Sequence, residues 1–262
     1  MGLVLVCLLA ALTLFARTAA AQSATTDAPD ANPGRPTVST PATLTPVGYL
    51  QFETGVLNAR HSPEFSSRFA FNEVIKFSVA SRLELLASAE PWVHYTVAGH
   101  TANSPAEVFV GAQAIVNKGE GATPTVAVSY FHRAYDGGAP ELDFGSPANS
   151  LLLLASADVK GFHYDANAIF NELVDAQVRR AQFGQSLSIS HPIGGRFTLS
   201  GELWHFTQPF LRDHAIGNLW AVSYAARKTL VFDAGFNRGL TGTSTRWEAF
   251  VGFTYLLPHR VL

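Results

Sequence analysis

Arg68-Phe69-Ala70-Phe71-Asn72-Glu73-Val74-Ile75-Lys76-Phe77-Ser78-Val79 reads with a period of two. Phe69, Phe71, Ile75, Phe77 and Val79 share one parity, and Arg68, Asn72, Lys76 and Ser78 the other. Successive side chains of a strand point to opposite faces, so the segment carries one apolar wall and one polar wall. The same alternation lies on either side of it. In Tyr49–Val56, Leu50, Phe52 and Val56 oppose Gln51, Glu53 and Gly55. In Arg82–Tyr95, Leu83, Leu85, Ala87, Ala89, Val93 and Tyr95 oppose Arg82, Glu84, Ser88, Glu90 and His94.

Further strands are predicted at Glu107–Val116, Thr125–His132, Ser150–Lys160, Phe162–Asn171, Gln182–His191, Phe197–Phe206, Gly217–Ala225, Leu230–Leu240 and Arg246–Leu257. The total is about twelve, each near the ten residues that a tilted strand needs to cross a hydrocarbon layer. Links alternate in length. Ala80-Ser81, Asn117–Thr123, Gly161, Pro192–Arg196 and Ala226–Thr229 are short. Asn58–Ser67, Thr96–Ala106, Arg133–Asn149, Glu172–Ala181, Thr207–Ile216 and Thr241–Thr245 form the other series. Short turns at one end and longer loops at the other predict an all-β fold: a transmembrane antiparallel up-and-down β-barrel with its apolar wall toward lipid. Tyr49, Tyr95, Trp204, Trp220, Trp247 and Tyr255 fall near expected strand ends, as interface girdles would. A soluble β-sandwich has the same periodicity; the leader and the alternating links decide against it.

Composition agrees. Charged residues make up 15% of the 262, well under the usual share for soluble domains. Past the N-terminus no apolar run reaches the length of a membrane-spanning helix. The net charge of −2 provides no basic stripe for phosphates, so no nucleic-acid partner is expected. The single cysteine, Cys7, sits in the apolar stretch Leu3–Phe15, which ends in the small-residue run Ala19-Ala20-Ala21-Gln22. This is the pattern of a signal peptide over residues 1–21, cut after Ala21, exporting the chain toward a bacterial outer membrane. Residues 22–47 are rich in Thr, Pro, Ala and Asp and read as a lead-in, either disordered or folded back as a partial plug. Residues 48–262 would form the barrel.

Several short motifs resemble a known family. They are Gly48–Gly55, Ser81–Leu85, Asp165-Ala166-Asn167, Gly201-Glu202-Leu203, Phe232–Thr241 and Val251–Tyr255. Together they resemble the phenol-degradation meta-pathway family of transporter-like outer-membrane barrels, across nearly the whole mature chain. The resemblance implies outer-membrane lipid as surroundings, folding by the barrel assembly machinery, and passage of hydrophobic or aromatic compounds. One departure stands at the C-terminus. The family ends on an aromatic residue of the last strand, whereas this chain runs on through Leu257–Leu262.

The polar wall predicts a lumen lined by Glu53, Arg68, Lys76, Arg82, Glu84, Glu90, His94, Asp165, Asn167, Glu202, Asp233, Asn237, Arg246 and Glu248. These charges either select solutes or pair across strands to hold the interior together. One such network would join Arg82 and Glu84 to Lys76 across the short turn. No cofactor or metal is expected, because no HxxxH or HExxH pair occurs. His94, His163 and His191 fall in three different strands, with no recognisable nucleophile–base set. The leading expectation is a channel for passive passage of a small solute. The alternatives are a non-conducting structural or adhesive barrel and, further off, an outer-membrane hydrolase.

Overall fold

A computed structural model describes residues 28–143, 145–175 and 177–261. The expected cleavage site after Ala21 lies outside them. The strands are β1 (Leu50–Arg60), β2 (Ser67–Ala80), β3 (Leu83–Val97), β4 (His100–Ser104), β5 (Val108–Asn117), β6 (Thr125–Tyr135), β7 (Pro147–Val159), β8 (Phe162–Asp175), β9 (Val178–Gly194), β10 (Phe197–Gln208), β11 (Asp213–Arg227), β12 (Leu230–Gly239) and β13 (Trp247–Leu256). Each pairs antiparallel with its sequence neighbours, except that β4 and β5 both pair with β3 and not with each other, and β1 pairs with both β2 and β13. With β2 also paired to β3, the staves close into a barrel, and β4 alone has one unpaired edge.

Thirteen strands make twelve staves. β4 and β5 run in the same direction, pairing with the far and near halves of β3. They are one stave broken at Pro105-Ala106-Glu107, where the Ala106 N–H still reaches the Glu90 carbonyl at 2.9 Å. Pro105 cannot donate to a ladder, which is why the break falls there.

Burial is inverted relative to a water-soluble protein. Gln51, Glu53, Arg68 and Glu84 are 0, 3, 2 and 2% exposed, while Phe71, Leu85, Trp220 and Val251 are 44, 48, 49 and 53% exposed. Polar side chains are inside and large apolar ones outside. That arrangement suits lipid, where apolar surface needs no cover and backbone groups must be satisfied within the sheet.

Three expected loops are largely strand instead. Residues 100–104 form β4, and β8 to β11 extend through most of 172–181 and 207–216. Continuing the ladder satisfies backbone groups that a loop would leave to water. The β3–β4 hairpin closes on Ala98 (φ 48°) and Gly99 (φ 82°), both left-handed, as a two-residue hairpin turn requires. The link at the opposite end between β7 and β8, Lys160 (φ 52°) and Gly161 (φ 84°), has the same form.

Candidate functional site: the barrel interior

Residues 31–48 run inside the barrel from its short-turn end and back. The Ala31 N–H donates to the Lys228 carbonyl at 2.7 Å in the turn between β11 and β12. The Gly48 N–H donates to the Ser78 carbonyl at 2.9 Å, near the turn between β2 and β3. Between these points the segment is tied to the inner wall, residue by residue. The Asn32 N–H donates to Gln51 Oε1 at 2.8 Å and the Gly34 N–H to Glu53 Oε1 at 2.8 Å. The Val38 and Ser39 N–H groups donate to the two Glu202 oxygens at 2.7 and 2.6 Å. Thr40 exchanges two bonds with the Asn167 amide, and the Thr45 N–H donates to Glu84 Oε1 at 2.8 Å. Asn32 and Thr43 bond each other across the base of this loop.

Arg35 occupies a cradle. Its Nε and Nη2 donate to the two Asp233 oxygens at 3.1 and 2.9 Å, a bidentate pair. Gly55 and Gly252 lie opposite each other in β1 and β13, and a Cβ added at either would sit 2.7 Å from the guanidinium. The absent side chains are the space that Arg35 fills. The Phe250 ring centroid lies 5.9 Å from its Cζ.

Most of the fourteen sequence-predicted lumen residues are buried on this inner face. Glu53 and Lys76 form an ion pair at 2.6 Å, and Arg68 pairs with Glu90. Asn237 accepts the Trp204 indole N–H at 2.8 Å and donates to Glu248 at 2.9 Å. Asp165 accepts from Ser156. Three residues lie elsewhere. Arg82 is exposed in the short turn, donating to the Val116 carbonyl, so the expected Arg82–Glu84–Lys76 network is absent and Lys76 turns to Glu53. Arg246 is exposed ahead of β13, beyond the barrel rim.

His94 is exposed on the outer face, stacked on Trp92 and bonded to Asn103. The cause is a bulge. Glu90 and Pro91 of β3 stand opposite the single residue Asn72 of β2, which switches the parity of everything after them. Val93 therefore goes in, at 0% exposed, and His94 goes out. Among the expected girdle residues, Trp204 is buried inside at 3%, its ring lying over Gly217.

Above the inserted segment lies a chamber of about 460 Å³. Arg35 to Val38 form its floor, and Glu141, Leu142, Gly145 and Pro147 close its far side. Leu57, Phe109, Phe131, Leu152, Phe206 and Leu219 make its walls apolar. Val38 and Ala42 pack against the same buried cluster of Leu152, Leu154, Ile169, Trp204 and Phe206. Parity could not show this apolar inner patch, but Leu151–Leu154 signals it: four leucines in a row leave neither face of β7 polar.

The connection between β6 and β7 lies over the loop end. The Arg68 guanidinium donates to the Pro140 carbonyl at 3.1 Å, and the Tyr95 hydroxyl to the Gly138 carbonyl at 3.2 Å. Gln208 donates to the Asp143 carbonyl, and the Thr245 N–H to Asp143 Oδ1 at 2.6 Å. Burial pushes the Asp143 carboxyl up to about 6, against the lowering effect of the Thr245 bond. Desolvation, with Glu107 nearby, raises Glu141 to about 7. Among the described residues no group of three or more metal-ligating side chains occurs.

No protein-family model matches the chain, and no curated protein sequence matches it. Solved structures do. The NanC porin superposes with a TM-score of 0.54 at 10% identity, covering 79% of this chain and 98% of that one. An outer-membrane channel from Pseudomonas putida F1 gives 0.59 at 12% identity, covering 87 and 100%. The KdgM porin in complex with disordered oligogalacturonate gives 0.52 at 11%, covering 79 and 98%. At these identities the likeness is one of fold: this chain has the architecture of bacterial outer-membrane channel barrels.

Proposed function

We propose that the protein is an outer-membrane channel for passive passage of small apolar solutes, aromatic ones included. In this reading it is exported behind residues 1–21, and part of the 22–47 lead-in forms a plug at the periplasmic, short-turn end. The observation that carries the reading is the apolar chamber of about 460 Å³ inside a membrane-facing barrel, a size that suits small molecules. Glu53, Glu84, Asn167, Glu202 and Asp233 hold the plug, while Arg68, Glu90, Asn237 and Glu248 border the solute's path. The solved structures that share the fold are themselves named as porins and channels, and the motif resemblance to the phenol-degradation meta-pathway family adds the aromatic solute class.

A non-conducting barrel is the second reading, favoured by the material lying over both ends of the chamber. Planar-bilayer recordings separate the two. The channel reading expects small, intermittent conductance from the mature chain and a larger, steadier one after deletion of residues 28–46. Silence from both proteins, each inserted and heat-modifiable on a gel, would reject the channel in favour of the closed barrel.

A further inference from the structure

Away from the chamber, one sector of the loop-end rim carries unpaired positive charge. Arg60 ends β1, Arg238 is next to last in β12, and Arg246 precedes β13, so the three stand on neighbouring staves. None of them forms an ion pair among the described residues, and the Arg238 and Arg246 side chains make no hydrogen bond there. The carboxylates of the same staves, Glu53, Asp233 and Glu248, are buried on the inner face. Glu64, in the link from β1 to β2, pairs with no base among the described residues. Elsewhere on this rim arginines are paired, Arg133 with Asp136 and Arg179 with Glu172.

The charges surround a preformed recess of about 410 Å³, lined by His61, Arg238, Thr241, Gly242, Ser244 and Arg246. The Arg246 N–H donates to the His61 carbonyl at 3.0 Å and Thr243 Oγ1 to the His214 carbonyl at 2.6 Å, so the link from β12 to β13 is held on both flanks. Directly below, the wall is apolar. The Arg238 guanidinium carbon lies 4.4 Å from the centroid of the Trp247 ring, and Arg60 stands opposite Trp247 in the β1–β13 ladder. Trp247, Phe236 and Val251 are all exposed on the lipid-facing wall. Cationic and apolar surface are therefore continuous, and the tryptophan marks the level at which headgroups begin.

From this we infer that the recess docks a phosphorylated glycolipid of the outer leaflet. Its phosphate lies among Arg238, Arg246 and His61, and its acyl chains run along Phe236 and Val251. Clustered bases at a membrane surface attract anionic headgroups, and a guanidinium without a carboxylate partner is free to take phosphate in bidentate fashion. A soluble sugar phosphate would meet the same cations and gain nothing from the wall below. The inference rests on the proposed orientation, loops outward, and not on conduction.

Native mass spectrometry of the full mature chain in detergent tests this with three probes: lipid A bisphosphate, the same lipid without its phosphates, and glucosamine 1-phosphate. The bisphosphate should bind at least about tenfold tighter than either other probe, as one charge-assisted bond supplies. Arg238→Gln and Arg246→Gln should each weaken it about tenfold and leave the phosphate-free lipid unchanged. Arg196→Gln, at the short-turn end, should change nothing. Should Arg238→Gln, which gives up its stack on Trp247, lose its heat-modifiable fold, Arg246→Gln carries the test alone. Equal binding of the two lipids, affinity indifferent to both variants, an equal loss in Arg196→Gln, or no binding of any probe overturns the assignment. Glucosamine 1-phosphate binding as tightly as the bisphosphate would make the recess a sugar-phosphate site and overturn the lipid. Bilayer conductance enters none of these outcomes, so the channel stands or falls apart from this site.

Discussion

At the scale of single residues, the bond between Arg35 and Asp233 decides whether the inserted segment stays seated. The Asp233 side chain is 2% exposed and that of Arg35 17%, so removing one partner leaves the other in poor solvation. Arg35→Ala should cost the docked segment about 3–5 kcal/mol, the usual penalty for breaking a buried pair. The barrel, closed independently by β1 and β13, should remain heat-modifiable while protease gains access to residues 28–46. Asp233→Asn in the Arg35→Ala background should restore part of the loss, because the stranded charge is gone; equal protection of Arg35→Ala and wild type would refute the role. Much at this scale could be read in the sequence. Glu53, Glu202 and Asp233 declare themselves by parity, since a carboxylate amid alternating apolar residues has only one face to occupy. Their partners do not. A hydrogen bond between Gly34 and Glu53 depends on a chain reversal that no local pattern encodes, so residues 22–47 could be read equally as disorder or plug.

Among the elements, the connection from β6 to β7 differs from the others in being drawn inward. Asp143 anchors it, buried, with Oδ1 on the Thr245 N–H and Oδ2 without a partner. An unpartnered buried oxygen suits a protonated carboxyl, in keeping with a value raised to about 6. The sign follows. The docked loop binds a proton more readily than the released one, whose carboxyl keeps its ordinary value of 3.8. Docking is therefore strongest below about pH 4 and weakens as pH rises through about 6, and Glu141 of the same connection, raised to about 7, adds a loss of the same sign. A fluorophore on Asp136→Cys, an exposed position, in a Cys7→Ala background should tumble more freely at pH 7 than at pH 4. Asp143→Asn keeps the Thr245 bond and should remove the Asp143 share of that dependence, leaving the share that Glu141 supplies at higher pH; an unchanged pH profile in this variant would exclude Asp143 as a cause. The elements also show where strand reading fails. The bulge at Glu90-Pro91 reverses parity within one strand, so strict alternation puts His94 on the wrong face, although a proline inside a strand is a warning of such a break. β4 passes for loop because only five residues separate its Ala98-Gly99 turn from the break at Pro105, too few for a period to emerge.

For the molecule as a whole, the question is which solvent its outer surface expects. A closed sheet with polar residues within and Leu85, Trp220 and Val251 without is stable only where apolar exposure costs nothing, and this much was legible from alternation. What alternation could not supply is the sign, since a soluble sandwich and a membrane barrel have the same period and differ only in which wall is inside. The mixed interior was hidden for the same reason: Trp204, Phe206 and Leu219 face inward among Glu202 and Asn237, against the parity rule that all inner residues be polar. One substitution discriminates. Val251 lies midway along β13, 53% exposed, between Val56 of β1 and Ala234 of β12. In water, arginine at an exposed valine would be close to neutral, because its charge is solvated and its stem covers the same neighbours. At the midplane of a bilayer it should cost about 2–4 kcal/mol, falling toward nothing nearer the interfaces. Unfolding of the purified chain by urea from lipid vesicles should therefore show Val251→Arg destabilised by that amount and Trp247→Arg, at the end of the same strand, by far less. Equal and negligible losses at both positions would mean that the outer wall of this barrel meets water.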